Sequence, residues 1–157
     1  MLLRPSACVI SYCLATRLYF GCRSALKDHH YGAEWEAYAE MGKITYRVAF
    51  SRDGPEGTKR IYVQDLLRLD KEIVWELLGV QRGTLVISGC VFGITGTTAM
   101  LTKEAGLTHR SSNKMPAAVR DAVGEAVAEC GGMSIQDAAA FVSVMEREGR
   151  VIEECWS

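Results

Sequence analysis

The period of the apolar positions changes several times along the chain, and each change marks an element. Residues 17–22 (RLYFGC) are a short β-rich run ending at a glycine and a cysteine, which predicts a strand. Over 31–41, Trp35, Tyr38 and Met41 recur at every third position and Glu34, Glu36 and Glu40 supply the wet side, which predicts an amphipathic helix. Residues 44–50 (ITYRVAF) alternate and are β-branched, the pattern of a second strand. The Gly and Pro of 51–58 (SRDGPEGT) predict a loop. A long helix is expected over 61–78, where Leu66, Leu69, Ile73 and Leu77 form one stripe that Leu67 and Val74 widen.

The continuous apolar run 84–88 (TLVIS) reads as a strand buried on both faces of a parallel sheet. Residues 116–130 return to the helical period through Val119, Ala122, Val123, Ala126, Val127 and Cys130. Pro116 suits the first turn, and Gly131 and Gly132 end the helix. Ser134 then caps a further helix with Asp137 in its first turn, and 151–156 form a last short strand. Strands alternating with helices predict an α/β fold, a mostly parallel sheet with helices on both faces. Such sheets bind ligands beyond the carboxyl ends of their strands. That directs attention to Gly21-Cys22-Arg23, Ser51-Arg52, Gly89 and the last residues of the sequence.

Composition narrows the function classes. The 157 residues suit one domain with a real core. Eighteen Lys and Arg balance nineteen Asp and Glu, which argues against a dedicated nucleic-acid binder. No apolar run approaches the roughly 18 residues that would cross a bilayer, so no membrane partner is expected. The apolar stretch 7–15 follows Arg4 in the manner of a poor signal peptide, but it is short and broken by Ser and Tyr, so a buried strand or a lead-in is the simpler reading. The six cysteines form no CxxC pair and do not alternate with His29, His30 and His109 at zinc-finger spacing. No metal site is expected, and free thiols in a reducing compartment are the simplest account.

Three places carry candidate chemistry. Ser51 and Arg52 follow a strand, and Lys59 and Arg60 lie across the next loop. A hydroxyl and guanidinium groups can converge on a phosphate dianion, with Tyr62 free to stack on a purine. A solvated charged loop accounts for the same residues, and on spacing alone it is the simpler account. Cys22 either faces a cleft or is a buried structural thiol. Trp156 either plugs a core edge or lies over a flat cofactor.

Taken in order, FGCR (20–23), AFSR (49–52), IYVQDLL (61–67) and ECWS (154–157) resemble the NADPH-binding module of the ferredoxin–NADP reductase superfamily. More narrowly, the chain looks like the C-terminal end of the NADPH-dependent diflavin oxidoreductases, relatives of the cytochrome reductases, a likeness that the segments MPAAV (115–119) and DAAAF (137–141) share. The resemblance implies that Ser51 and Arg52 bind the adenosine 2′-phosphate of NADPH, with Arg60, Ile61, Tyr62, Val63 and Gln64 completing that pocket. It places Cys22 near the nicotinamide, stacks Trp156 on the FAD ring, and puts Glu154 where the cytochrome reductases carry an acid that assists hydride transfer. It implies electron flow from NADPH through FAD and FMN to a protein acceptor in iron–sulfur cluster assembly, in the cytoplasm.

The chain departs from that family in four ways. Residues 1–16 hold no glycine, so the Gly-rich pyrophosphate turn expected upstream of the first strand is absent and this segment is atypical. No FMN or FAD domain is present, so neither flavin is expected to be held by this chain alone, and the chain by itself is not expected to be a competent reductase. Residues 90–110 interrupt the module of 17–157. Joining Gly89 to Ser111 restores a family-like GSSNKMP turn, so the interruption reads as an inserted loop or retained intron lying outside the sheet. Ala118 stands where relatives often carry an acid. The alternative is a non-catalytic α/β binding or interaction domain derived from such a module.

Overall fold

In a computed structural model of the chain, residues 16–55, 60–90, 97–100 and 114–156 are described. Residues 7–15, Lys59 and most of the 90–110 interruption lie outside them. The elements follow the expected order. Strand β1 (Arg17–Cys22) leads through the single turn α1 (Ala25–Asp28) into α2 (Gly32–Glu40) and β2 (Thr45–Phe50). Helices α3 (Val63–Leu69) and α4 (Lys71–Trp75) follow, with a π-helical turn over Glu76–Val80. Strands β3 (Leu85–Cys90) and β4 (Thr97–Met100), helices α5 (Lys114–Gly131) and α6 (Ile135–Arg147), and strand β5 (Val151–Trp156) complete the order.

One sheet takes the order β2-β1-β4-β3-β5. Strand β1 pairs parallel with β2, Arg17 to Thr45 through Cys22 to Phe50, and β3 pairs parallel with β5, Leu85 to Val151 through Cys90 to Trp156. Strand β4 sits between the two pairs, antiparallel to both β1 and β3. This corrects the expectation that the whole of 90–110 lies outside the sheet: Thr97–Met100 is its middle strand. The four strands anticipated from sequence do run in one direction, so the fold is mixed α/β with parallel pairs.

One face of the sheet carries the core. Tyr19, Ala49 and Ile87 pack against Val63, Leu66 and Leu67 of α3, the row Val119, Ala122, Val123, Ala126 and Val127 of α5, and Ala138, Val142 and Met145 of α6. Ser134 caps α6 as anticipated: its hydroxyl accepts from the Asp137 backbone N–H at 3.1 Å and donates to the Asp137 carboxylate at 2.7 Å. Arg120 of α5 reaches Glu146 of α6 and grips Glu153 of β5 through two nitrogens, each 2.9 Å from its oxygen. On the opposite face, His29 lies against Phe20, Tyr46 and Phe50, and its Nε2 meets the Tyr46 hydroxyl.

Two helix expectations need correction. The single helix over 61–78 is broken at Asp70, and Leu69, assigned to the buried stripe, is 69% exposed. Asp70 leaves the helical conformation (φ −103°, ψ 21°) and turns its carboxylate under the sheet. There it accepts from the Tyr19 hydroxyl at 2.9 Å, from Arg17 Nη1 at 3.1 Å and from Arg47. Three charged or polar donors on two strands outweigh the propensity of one more helical turn. The stripe Trp35–Tyr38–Met41 of α2 also fails to bury: Trp35 is half-buried, but Tyr38 and Met41 face solvent.

Because Asp70 satisfies three donors at once, Asp70→Ala is expected to destabilise the fold by about 1.5–3 kcal/mol, the range for hydrogen bonds to charged groups. Leu69→Ala, one residue away and solvated, is expected to change stability by no more than about 0.5 kcal/mol. Urea unfolding followed by far-UV circular dichroism compares them, and equal midpoints for the two variants would deny Asp70 this role.

Candidate functional site

All four parallel strands end on the same edge of the sheet, which gathers Cys22, Ser51, Glu154 and Trp156 along one rim. At the β1–β2 end the ladder continues past the strands. The Ser51 N–H donates to the Cys22 carbonyl and the Arg52 N–H to the Arg23 carbonyl, each at 2.9 Å. These bonds hold Ser51-Arg52 beside Cys22-Arg23. The Asp53 carboxylate accepts from the Ala25 N–H at 2.6 Å and steadies the start of α1, while Arg23 pairs with the buried Asp28 at 3.3 Å. Arg52 and Arg60 are both exposed, and among the described residues no carboxylate claims either.

Arg60, Ile61 and Tyr62 are exposed on the lead-in to α3. Val63, its first residue, is buried in the core, Gln64 is half-buried, and α3 packs against β1 and β2. The Asp65 carboxylate accepts from the Tyr62 N–H at 3.0 Å and fixes the entry angle of the helix. The anchored Val63 therefore sets where Arg60 and Tyr62 emerge.

Cys22 is 6% exposed, and its thiol donates to the Ser24 carbonyl at 3.8 Å. Burial, aided by the nearby Asp28 and Asp53 carboxylates, pushes the thiol up to about 11. It is a neutral, packed group at physiological pH, not a ready nucleophile.

The structure does not bring Cys22 and Glu154 together. In the order β1-β4-β3-β5 they stand three strands apart, about 14 Å at roughly 4.8 Å per strand. Glu154 pairs across the ladder with Ser88, and both lie on the face opposite the main core, since Ile87 and Glu153 turn toward the helices. Ser88 is fully buried, and its hydroxyl has no hydrogen-bond partner among the described residues. A buried hydroxyl without a partner is costly unless something completes it. Sequence reasoning passed over Ser88 because it closes the apolar run TLVIS. Its signal was its place: the last residue before Gly89 at a strand's carboxyl end. Trp156 stands in register with Cys90 at the end of β5, and its side chain lies outside the described part.

This is an α/β domain whose polar side chains collect at the carboxyl ends of parallel strands. No protein-family model matches it. Among curated proteins, the chain is 33% identical over 139 residues to NADPH-dependent diflavin oxidoreductase 1 of Schizosaccharomyces pombe, which covers 88% of this chain and 20% of that protein. It is 37% identical over 143 residues to the protein of that name in Cryptococcus neoformans, 90% of this chain and 19% of that protein. To the NADPH–cytochrome P450 reductase of Musca domestica it is 30% identical over 142 residues, 90% of this chain and 18% of that protein. The chain is thus a relative of the NADPH-dependent diflavin reductases and spans about a fifth of the length of the curated relatives it matches. No described helix is long and apolar enough to cross a membrane.

The raised thiol of Cys22 gives a pH signature. Its neutral form adds stability below the ordinary thiol pKa of about 8.5, and that contribution is lost as pH climbs through about 11. At pH 9, alkylation of Cys22 by iodoacetamide is expected to run more than roughly tenfold slower in the folded chain than in urea, because the thiolate fraction sets the rate. Peptide mass spectrometry reads the rate, and equal rates in the two conditions would show an ordinary, solvated thiol.

Proposed function

We propose that the chain is the NADPH-binding module of a flavoprotein reductase that passes electrons from NADPH through FAD and FMN to a protein acceptor. For the diflavin oxidoreductase subfamily that acceptor belongs to cytoplasmic iron–sulfur cluster assembly. In this reading residues 17–157 form the module, and the flavins are held by domains outside the matched fifth. The observation that carries it is that Ser51 and Arg52 are held at the carboxyl end of β2 by backbone bonds to Cys22 and Arg23, while Arg52 and, on the lead-in to α3, Arg60 are exposed and unclaimed by any described carboxylate.

Ser51, Arg52 and Arg60 hold the adenosine 2′-phosphate, the group that separates NADPH from NADH. Tyr62 stacks on the adenine and Gln64 supplies an amide, while Ile61 and Val63 fix the lead-in against the core. Cys22 provides a neutral, packed thiol beside Ser51, in the half of the rim away from Glu154. Glu154 and the uncompleted Ser88 hydroxyl offer polar groups at the β3–β5 end of the rim, where Trp156 covers the FAD ring. When bound, the nicotinamide and flavin supply the hydride chemistry. The residues of this chain orient them, exclude water and select the phosphate.

The 2′-phosphate contribution can be isolated with small ligands. The chain is expected to bind 2′,5′-ADP roughly tenfold to a hundredfold tighter than 5′-AMP, because a charge-assisted contact is worth about 1.5–3 kcal/mol and about 1.4 kcal/mol is a factor of ten. Arg52→Ala should erase most of that difference while leaving 5′-AMP binding unchanged. Isothermal titration calorimetry measures both. Equal affinity for the two nucleotides in the parent chain would mean that Ser51-Arg52 is only a solvated loop.

A further inference from the structure

Two arms of the fold carry the residues assigned to the phosphate. Ser51 and Arg52 follow β2, and Arg60 and Tyr62 stand on the lead-in to α3. Helix α3 packs against β2, with Ala49 of the strand in one apolar cluster with Val63, Leu66 and Leu67 of the helix. Apolar burial is non-directional. A binding constellation must be held to within about 0.5 Å, so a directional contact has to fix where α3 lies along the strand. The exposed ion pairs of α3 and α4, Arg68 with Glu125 and Lys71 with Glu129, run to α5 and leave that placement open.

Asp70 supplies the directional contact at the far end of α3. Its N–H donates to the Leu66 carbonyl at 3.1 Å and to the Leu67 carbonyl at 3.2 Å, so the residue is fastened to the last turn of the helix. Its two carboxylate oxygens divide between the strands. Oδ2 accepts from Arg17 and Tyr19 of β1, and Oδ1 accepts from Arg47 of β2. Tyr19 and Arg47 are partners across the β1–β2 ladder, so one carboxylate bridges that pair. Asp70 is buried, where solvent and salt screen an ion pair less than at the surface.

We propose that Arg47 and Asp70 are positioning residues for recognition of the nucleotide phosphate. Their ion pair sets the place of α3 on β2, and so the place of Arg60 and Tyr62 relative to Ser51-Arg52. The assignment rests on reading those residues as the 2′-phosphate pocket. Neither member of the pair reaches the ligand. Arg47 precedes Arg52 by five residues, about 16 Å of strand at roughly 3.3 Å each. Asp70 follows Val63 by seven, about 10 Å of helix at roughly 1.5 Å each. Without the pair α3 keeps its apolar contacts and gains freedom along the strand, and the two arms no longer meet one phosphate together.

The test uses the whole chain and two variants of opposite charge change. Arg47→Met keeps the stem and removes the donor and a positive charge. Asp70→Asn keeps the shape and an oxygen for Tyr19 and removes a negative charge. Isothermal titration calorimetry with 2′,5′-ADP and 5′-AMP gives the preference for the 2′-phosphate. Both variants should lower that preference by roughly threefold to tenfold, the scale of coupling through a remote contact. A long-range field would act with opposite signs, because Asp70→Asn leaves the chain more positive and would strengthen phosphate binding. A loss of stability alone would lower both affinities together and leave the ratio unchanged. Hydrogen exchange followed by nuclear magnetic resonance on the free variants reads the tie without ligand. It should quicken more at Asp65 and Leu66, in the first turn of α3, than at Ser51 and Arg52, whose N–H groups are held by Cys22 and Arg23. If the parent prefers 2′,5′-ADP, an unchanged ratio in either variant, or a higher one in Asp70→Asn, overturns the proposal. If the parent binds both nucleotides alike, the phosphate pocket itself fails and exchange decides on the tie. Selective quickening at the α3 entry then upholds it, and a uniform change or none overturns it.

Discussion

The carboxylate of Asp70 is the constraint on which the rest of the arrangement leans. It lies where a single helix would otherwise run on, and it collects Arg17, Tyr19 and Arg47 from two strands. Burial pushes the Tyr19 phenol up to about 12, so it stays protonated and donates to Asp70 at any physiological pH. The broken helix lets α3 lie along β1 and β2 while α4 turns to meet α5. That turn places Trp75 over Gly79 and Gly131. A Cβ at Gly79 would stand 2.2 Å from the indole, so only glycine fits beneath the ring. The position of α3 in turn decides where Arg60 and Tyr62 leave the core, so a buried ionic cluster far from the rim sets the geometry of the rim.

The sheet needs β4 for a different reason. Without it, β1 and β3 would be left about two strand spacings apart, and the sheet would fall into two parallel pairs, each marginal alone. Strand β4 joins them through three residue pairs on each side. Being antiparallel, it reverses nothing in its neighbours: β1 and β3 still point the same way, and the carboxyl ends still share one edge. The connections from β1 to β2 and from β3 to β5 move outward in opposite directions from this strand. The crevice of an open α/β sheet lies at such a switch point.

Where the sequence was readable, one period governed a whole segment. The strands β1, β2, β3 and β5 and the buried row of α5 follow from alternation, apolar runs and a 3.6-residue period with nothing competing. Where it was not, a distant partner overrode the local signal. Nothing near Asp70 announces Arg17, Tyr19 and Arg47, so the 61–78 stripe looked continuous and Leu69 looked buried. The α2 stripe has the right spacing for burial, but spacing is silent on which face of a helix meets the sheet, and here Gly32, Trp35 and Ala39 do. Thr97–Met100 carries a β-branched signal behind Gly96. The family-like turn made by joining Gly89 to Ser111 drew attention away from it. Of the candidate positions, Ser51-Arg52 follow the end of β2, as the strand pattern predicts. Ser88 was hidden because a small hydroxyl does not interrupt an apolar run.

The layout of the rim bears on how its parts divide the proposed work. Ser51-Arg52 stand at one margin of the sheet, and Glu154 with Ser88 stand toward the other, with β1 and β4 between them. From β2 to β5 the rim spans four strand spacings, about 19 Å at roughly 4.8 Å each. No single phosphate or base reaches both ends, whereas a ligand made of two linked nucleotides lies across such an edge. Cys22 belongs to the Ser51 half by its backbone bonds and to neither acid nor nucleophile by its burial. The division assigns discrimination to the β1–β2 end, where cations are exposed and unclaimed. It assigns the reacting end to β3–β5, where a buried hydroxyl without a described partner stands in register with a carboxylate. A mononucleotide would engage one half only. For that reason the 2′-phosphate contacts can be measured on the β1–β2 half with small adenine ligands, without requiring the other half to be filled.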